Sequence, residues 1–166
     1  MSRFIVSYGS SMGDRAGNIA QALEAVAEFA EMLALSPVYE TAALYVTNQT
    51  PFINGVFLAS TELPPGDLLA KLKEIERQIG RVDRGRNMPR EIDLDIVWYE
   101  DYVSDPGDVP AVPHPGAHER RFVLEPLNEI APDLLLPGYG VVRDLLADPG
   151  VQSQEVRRVS DAPILV

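Results

Sequence analysis

The chain has 166 residues and a mass of 18.2 kDa, enough to bury ~70% of the surface its unfolded form exposes. Its 46% apolar and 23% charged residues are an ordinary globular composition, while 14 Lys and Arg against 25 Asp and Glu leave a net charge of −11. That balance excludes whole-molecule attraction to nucleic acid or an anionic membrane; the absence of cysteine excludes disulfides, thiolate catalysis and sulfur-ligated metals, and two histidines exclude a histidine-rich metal site. No run approaches the ~18 apolar residues of a membrane span and no secretory signal opens the chain, so a soluble cytoplasmic protein is expected.

In chain order, Arg3 to Tyr8 (RFIVSY) is a β-branched apolar run ended by Gly9 and predicts a strand. After the turn-rich stretch from Gly9 to Asp14, the spacing of Ile19, Leu23, Val26, Ala27 and Ala30 predicts an amphipathic helix. Ser36 to Tyr39, extending towards Tyr45, predicts a second strand; Val46 to Pro51 a polar loop; Val56 to Ser60 a third strand. Pro64 and Pro65 open a helix whose apolar face is Leu68, Leu69, Leu72, Ile75 and Ile79, stopped by Gly80. Arg81 to Arg90 is too polar for core, and Glu91 to Trp98 alternates strictly, as a half-buried strand does. A proline-rich stretch follows, with a short helical piece at Glu119 to Leu127. Weak periodicity over residues 151–166 predicts a loosely packed C-terminal tail on a domain spanning residues 1–150. The order β-α-β-β-α-β fits an α+β sandwich with a mainly antiparallel sheet.

The sharpest chemical signal is Asp93 and Asp95. On a strand, residues two apart share a face with Cα atoms ~6.5–7 Å apart, so Ile92, Leu94 and Ile96 face the core and both carboxylates face the other way. At an effective dielectric of ~20 such charges repel by ~2 kcal/mol, which a divalent cation between them reverses. Oxygen ligands without sulfur or imidazole point to Mg2+, which takes one or two carboxylates plus substrate phosphates. The bland alternative is a solvated polar face, although aspartate disfavours strand interiors.

Arg81, Arg84, Arg86 and Arg90 crowd the ten residues before that strand. Guanidinium forks match phosphate oxygens, and arginines feeding a carboxylate pair supply the positioning and charge neutralisation of phosphoryl transfer. A basic loop paired with Glu74, Glu76 and Asp83 is the alternative. The chain has neither a P-loop nor a protein-kinase signature, so side chains must hold any nucleotide. Asn54 with Gly55 is a good hairpin dipeptide, but Pro51 lies too close for an incoming strand; otherwise Asn54 hydrogen-bonds a planar heterocycle on which Phe52 stacks. His114 between two prolines, and Arg120 and Arg121 before Phe122, are weaker signals singly.

Together these stretches resemble the 6-hydroxymethyl-7,8-dihydropterin pyrophosphokinase family of the folate pathway. The resemblance rests on YGSSMGDR (residues 8–15), VYET (38–41), FINGV (52–56), ERQIGR (76–81), PREIDLDI (89–96), VPHP (112–115) and HERRFVLEPL (118–127), and covers roughly residues 3 to 146. It implies a ferredoxin-like α+β sandwich that moves pyrophosphate from ATP to the pterin hydroxymethyl group and releases AMP. Asp93 and Asp95 would hold two Mg2+ ions, and Arg81 and Arg90 would neutralise the transferring group. Glu76, Ile96, His114 and Arg120 match nucleotide-contacting positions, with Arg84 or Arg86 as a second loop arginine. Thr41, Ala42, Ala43, Leu44, Phe52, Asn54 and Phe122 match the pterin pocket. The implied partners are these small molecules only, with no nucleic acid or membrane, and a monomer is expected.

The chain departs from the family pattern at several points. Thr41-Ala42-Ala43 stands where Thr-Pro-Pro is usual, Glu40 where arginine is frequent, and Ser11 where asparagine is frequent. Arg86 to Arg90 (RNMPR) lacks a tryptophan common in the family, in a loop one residue shorter. Two alternatives follow: a non-catalytic pterin- or nucleotide-binding paralogue, which would form no AMP, and another Mg2+-dependent nucleotidyl enzyme on the same sandwich, which would release pyrophosphate.

Overall fold

The computed structural model describes residues 1–41, 51–80 and 91–160. The expected loop at residues 46–50 and the arginine-rich stretch at residues 81–90 lie outside the described residues.

Ser2–Ser10 forms β1, whose side chains alternate between two apolar layers. Asp14 caps the following helix α1, Arg15–Val26, by accepting from the Gly17 amide at 3.0 Å, and Ile19, Leu23 and Val26 turn inward. Next come β2, Glu31–Leu35, β3, Val38–Thr41, and β4, Phe52–Thr61. Helix α2, Pro65–Gln78, starts on proline as expected and buries Leu68, Leu72 and Ile75; β5 is Asp93–Tyr99. A 3-10 turn at Ala117–Glu119 leads into α3, Arg121–Ile130, and a two-residue hairpin, β6 (Leu135–Leu136) with β7 (Gly140–Val141), precedes α4, Val142–Leu146. Helix α5, Pro149–Gln152, and β8, Arg157–Ser160, complete the described chain.

The main sheet is antiparallel in the order β5-β1-β4-β3-β8, with β2 pairing β4 as well. This is the expected α+β sandwich, its central four strands in ferredoxin-like order. One core lies under α1 and α2, where Phe4, Val6, Tyr8, Phe57, Leu94 and Ile96 meet both helices. A second lies on the opposite face, where Ile5, Val56 and Val97 meet α3 and α4. Gly55 is required here, since a Cβ on it would lie 2.1 Å from the Tyr8 hydroxyl.

Three elements differ from the sequence reading. The strand expected from Ser36 is β3, starting at Val38, and a further strand not expected from the sequence, β2, precedes it; between the two Pro37 offers no amide, and the buried Ser36 hydroxyl accepts from the Val56 amide at 2.9 Å. The strand expected from Val56 begins at Phe52, so Asn54 and Gly55 lie inside β4 and the hairpin alternative falls. The tail is not loose as far as Ser160: Val151 is buried in the second core, and β8 pairs with β3. Main-chain pairing at a sheet edge requires no apolar pattern, so periodicity carried no trace of it.

Candidate active site

The face of the sheet shared with α3 becomes polar towards one end. Gly9 pairs with Asn54 on one side and Asp93 on the other, and Asn54 pairs with Tyr39, so Tyr39, Asn54, Gly9 and Asp93 form one row across four strands. With neighbouring strands ~4.8 Å apart, Asn54 and Asp93 stand about 10 Å from each other with only glycine between them. A Cβ on Gly9 would lie 3.0 Å from Asn54 Oδ1 and 3.6 Å from the Phe52 ring. The glycine therefore makes a flat floor walled by an amide and an aromatic ring, a role sequence reading did not assign to it.

Asn54 is buried, and its Nδ2 donates to Thr41 Oγ1 at 2.9 Å. That bond fixes the amide and turns its oxygen, an acceptor, towards the floor. Thr41 pairs with Phe52 across β3 and β4, so the expected pterin-pocket residues Thr41, Phe52 and Asn54 form one cluster. Phe122, at the start of α3, packs against the second core on this same face of the sheet. Ala42, Ala43 and Leu44 lie outside the described residues.

Asp93 and Asp95 occupy alternate, half-buried positions of β5, with Leu94 and Ile96 buried beneath them, as the alternation predicts. The start of this strand is held in place because the Glu91 carbonyl accepts from Ser10 Oγ and, at 3.1 Å, from Asn18 Nδ2. Burial pushes the Asp95 carboxyl up to about 7, with the Asp93 charge adding to the rise and Lys73 and Arg120 opposing it. Two carboxylates that raise each other's energy in this way suit a hard cation with oxygen ligands. Among the described residues no group of three or more His, Asp or Glu could hold a metal.

His114 donates its amide to Val97 O at 3.0 Å, and its Nδ1 accepts from the Gly116 amide at 3.1 Å. This bond places the remaining proton on Nε2. Burial, followed by the Arg120 charge, pulls the imidazole below its ordinary value, keeping it a neutral donor at pH 7. Arg120 lies 5.9 Å from the Phe122 ring centroid, and its charge reaches both Asp95 and His114.

Two expected nucleotide contacts have different surroundings. Glu76 is buried, accepting from the Leu94 amide at 2.7 Å and pairing with Lys73 at 3.2 Å, so it anchors the outer edge of β5. Ile96 points into the core under α2, away from Asp95. By the strand period its main-chain groups share the outward edge with the Leu94 amide, and these are what it offers a ligand. Lys73 was not anticipated, although a lysine three residues before Glu76 on a helix shares its face. Arg81, Arg84, Arg86 and Arg90 lie outside the described residues.

Residues 5–132 match the family described as 7,8-dihydro-6-hydroxymethylpterin-pyrophosphokinase (HPPK). The 2-amino-4-hydroxy-6-hydroxymethyldihydropteridine pyrophosphokinase of Aquifex aeolicus is 41% identical over 139 residues, covering 84% of this chain and 86% of its own length. The Methylorubrum extorquens protein of the same name is 41% identical over 161 residues, covering 93% of this chain and all of its own. Among solved structures, the Plasmodium falciparum HPPK-DHPS wild type with pterin and p-hydroxybenzoate superposes with a TM-score of 0.73 at 13% identity. That likeness covers 95% of this chain but 45% of the longer one, and it concerns the fold. With residues 5–132 matching the family model and these relatives 41% identical over most of both chains, the chain belongs to the 7,8-dihydro-6-hydroxymethylpterin-pyrophosphokinase family.

Proposed function

We propose that this chain transfers the pyrophosphoryl group of ATP to the hydroxymethyl group of 6-hydroxymethyl-7,8-dihydropterin and releases AMP, a step of folate biosynthesis. The observation that carries this reading is the Asp93–Asp95 pair on the same sheet face as the Thr41, Phe52 and Asn54 cluster. Mg2+ arriving with ATP would be held by Asp93 and Asp95 and would supply charge neutralisation at the phosphates.

The remaining work falls to the protein's own groups. The pterin lies on the Gly9 floor between Phe52 and Phe122, and Asn54 Oδ1 accepts from its N–H edge. Thr41 keeps that amide from turning. This leaves the hydroxymethyl group near the carboxylates, for in-line attack on the β-phosphorus with AMP as leaving group. His114 donates from Nε2 to a phosphate oxygen without adding charge, while Arg120 supplies a guanidinium fork to the phosphates. Arg81 and Arg90 complete the neutralisation of the transferring group. Catalysis is positioning and charge stabilisation, as phosphoryl transfer generally requires.

The test is AMP release from ATP with and without the pterin alcohol, in the presence of Mg2+. Pterin-dependent AMP is expected, with turnover in Asp95→Ala falling at least ~100-fold through loss of a ligand. ATP consumption without AMP, or near-normal turnover of that variant at saturating Mg2+, overturns the assignment.

A further inference from the structure

Beyond the family match, which ends at residue 132, the C-terminal segment touches both walls of the pocket. On the α3 side, the Arg121 amide donates to Gln154 Oε1 at 2.9 Å, and its Nη1 donates to the carbonyls of Gln152 at 3.0 Å and Gln154 at 2.8 Å. Gln154 Nε2 returns a bond to the Glu119 carbonyl at 2.8 Å. These four bonds bracket Arg120 and immediately precede Phe122. On the opposite side, β8 pairs with β3 next to Thr41, and Arg157 Nη2 donates to Glu40 Oε1 at 2.8 Å. Arg15 lies 3.7 Å from the other Glu40 oxygen and donates to the Pro51 carbonyl at 2.8 Å, immediately before Phe52. The groove of about 580 Å3 between the segment and both walls is lined from each side.

We infer that residues 152–157 form a strap holding the β3–β4 wall and the start of α3 at the spacing the flat substrate needs, with Arg121, Gln154 and Arg157 as positioning residues. The inference rests on the function proposed above for what the cleft holds. None of the three lies in the site itself; each acts through a neighbour, Arg121 on Phe122 and Arg157, through Glu40, on Thr41 and Phe52. The strap acts mainly on the pterin side of the cleft: of the groups expected on the nucleotide side it borders Arg120 alone, while the carboxylates, Glu76 and Lys73 belong to β5 and α2 at the far side of the sheet.

The experiment compares Gln154→Ala, Arg157→Ala and Arg157→Lys with the unaltered chain. A KM for pterin about fivefold higher in Gln154→Ala and about threefold higher in Arg157→Ala is expected, the size of lost hydrogen bonds, with kcat and the ATP KM within about twofold. Arg157→Lys keeps the pair with Glu40 and restores the pterin KM. An unchanged pterin KM in both alanine variants, or an equal rise for ATP, overturns the strap. If the unaltered chain forms no AMP, the proposed function fails by itself and amide exchange still decides the strap. Faster exchange at residues 38–41 and 119–124 in Gln154→Ala supports it, and unchanged exchange overturns it.

Discussion

Asp95 shows how a single side chain sets stability against function. Its carboxyl is pushed up to about 7 in the folded chain against an ordinary 3.8, so the folded state keeps a proton that the unfolded state has already lost between those values. Stability without metal therefore falls as pH rises from about 4 to about 7, by about 2–4 kcal/mol from this group. Asp95→Asn should remove that cost: its metal-free melting temperature at pH 8 should exceed that of the unaltered chain by at least about 4 °C, while turnover is lost. Equal melting at pH 8 would show that the carboxylate is not strained. The same proton competes with a cation, so Mg2+ affinity measured by calorimetry should strengthen through pH 6 to 8 and level off above. A flat profile would count against Asp95 as a ligand.

At the scale of elements, β4 and α2 are the members on which the rest is built. Gly55→Ala places a carbon 2.1 Å from the Tyr8 hydroxyl in a packed core, and a loss of about 1–3 kcal/mol in denaturant unfolding is expected. Leu72→Ala, fully buried under the sheet, should cost about 2–5 kcal/mol. Much of this layer was legible: α1, α2 and β5 carry apolar residues at the helical or strand period, and the facing of Asp93 and Asp95 followed directly. The unread parts have physical causes. Strand β2 reads EMLAL, which alternates poorly because the strand is only partly covered. Asn54 and Gly55 resemble a turn locally, and only the pairing of β1 with β4 shows that Gly55 makes room for Tyr8. Glu76 could be matched to a nucleotide position, but its bond to the Leu94 amide joins elements far apart in sequence. Arg121 gave only a weak signal beside Phe122, since apart from Glu125, four residues on, its partners lie more than thirty residues away.

For the whole molecule, two apolar cores on opposite faces of one sheet carry the fold, and neither includes the carboxylate pair. Chelation with EDTA should therefore leave the melting temperature unchanged, whereas added Mg2+ should raise it by mass action, more at pH 8 than at pH 6. Unfolding on chelation would reveal a structural metal instead. The net charge of −11 makes local concentration of Arg120, Lys73 and the loop arginines the condition for holding a polyphosphate. No described helix is long and apolar enough to cross a membrane.

The register between β1 and β5 slips once: Ile5 pairs with Trp98 and Val6 with Ile96, leaving Val97 as a supernumerary residue. Val97 and Trp98 both lean towards α3, and Tyr99 returns to the α2 side, where its hydroxyl donates to the Leu63 carbonyl at 2.7 Å. The slip works as a buffer for chain length. Deleting Val97 would leave Asp93, Asp95 and Tyr99 each facing as before, at the expense of one buried valine. Deleting Leu94 would instead invert one acid into the oily layer, so strand length is negotiable on one side of the slip and fixed on the other.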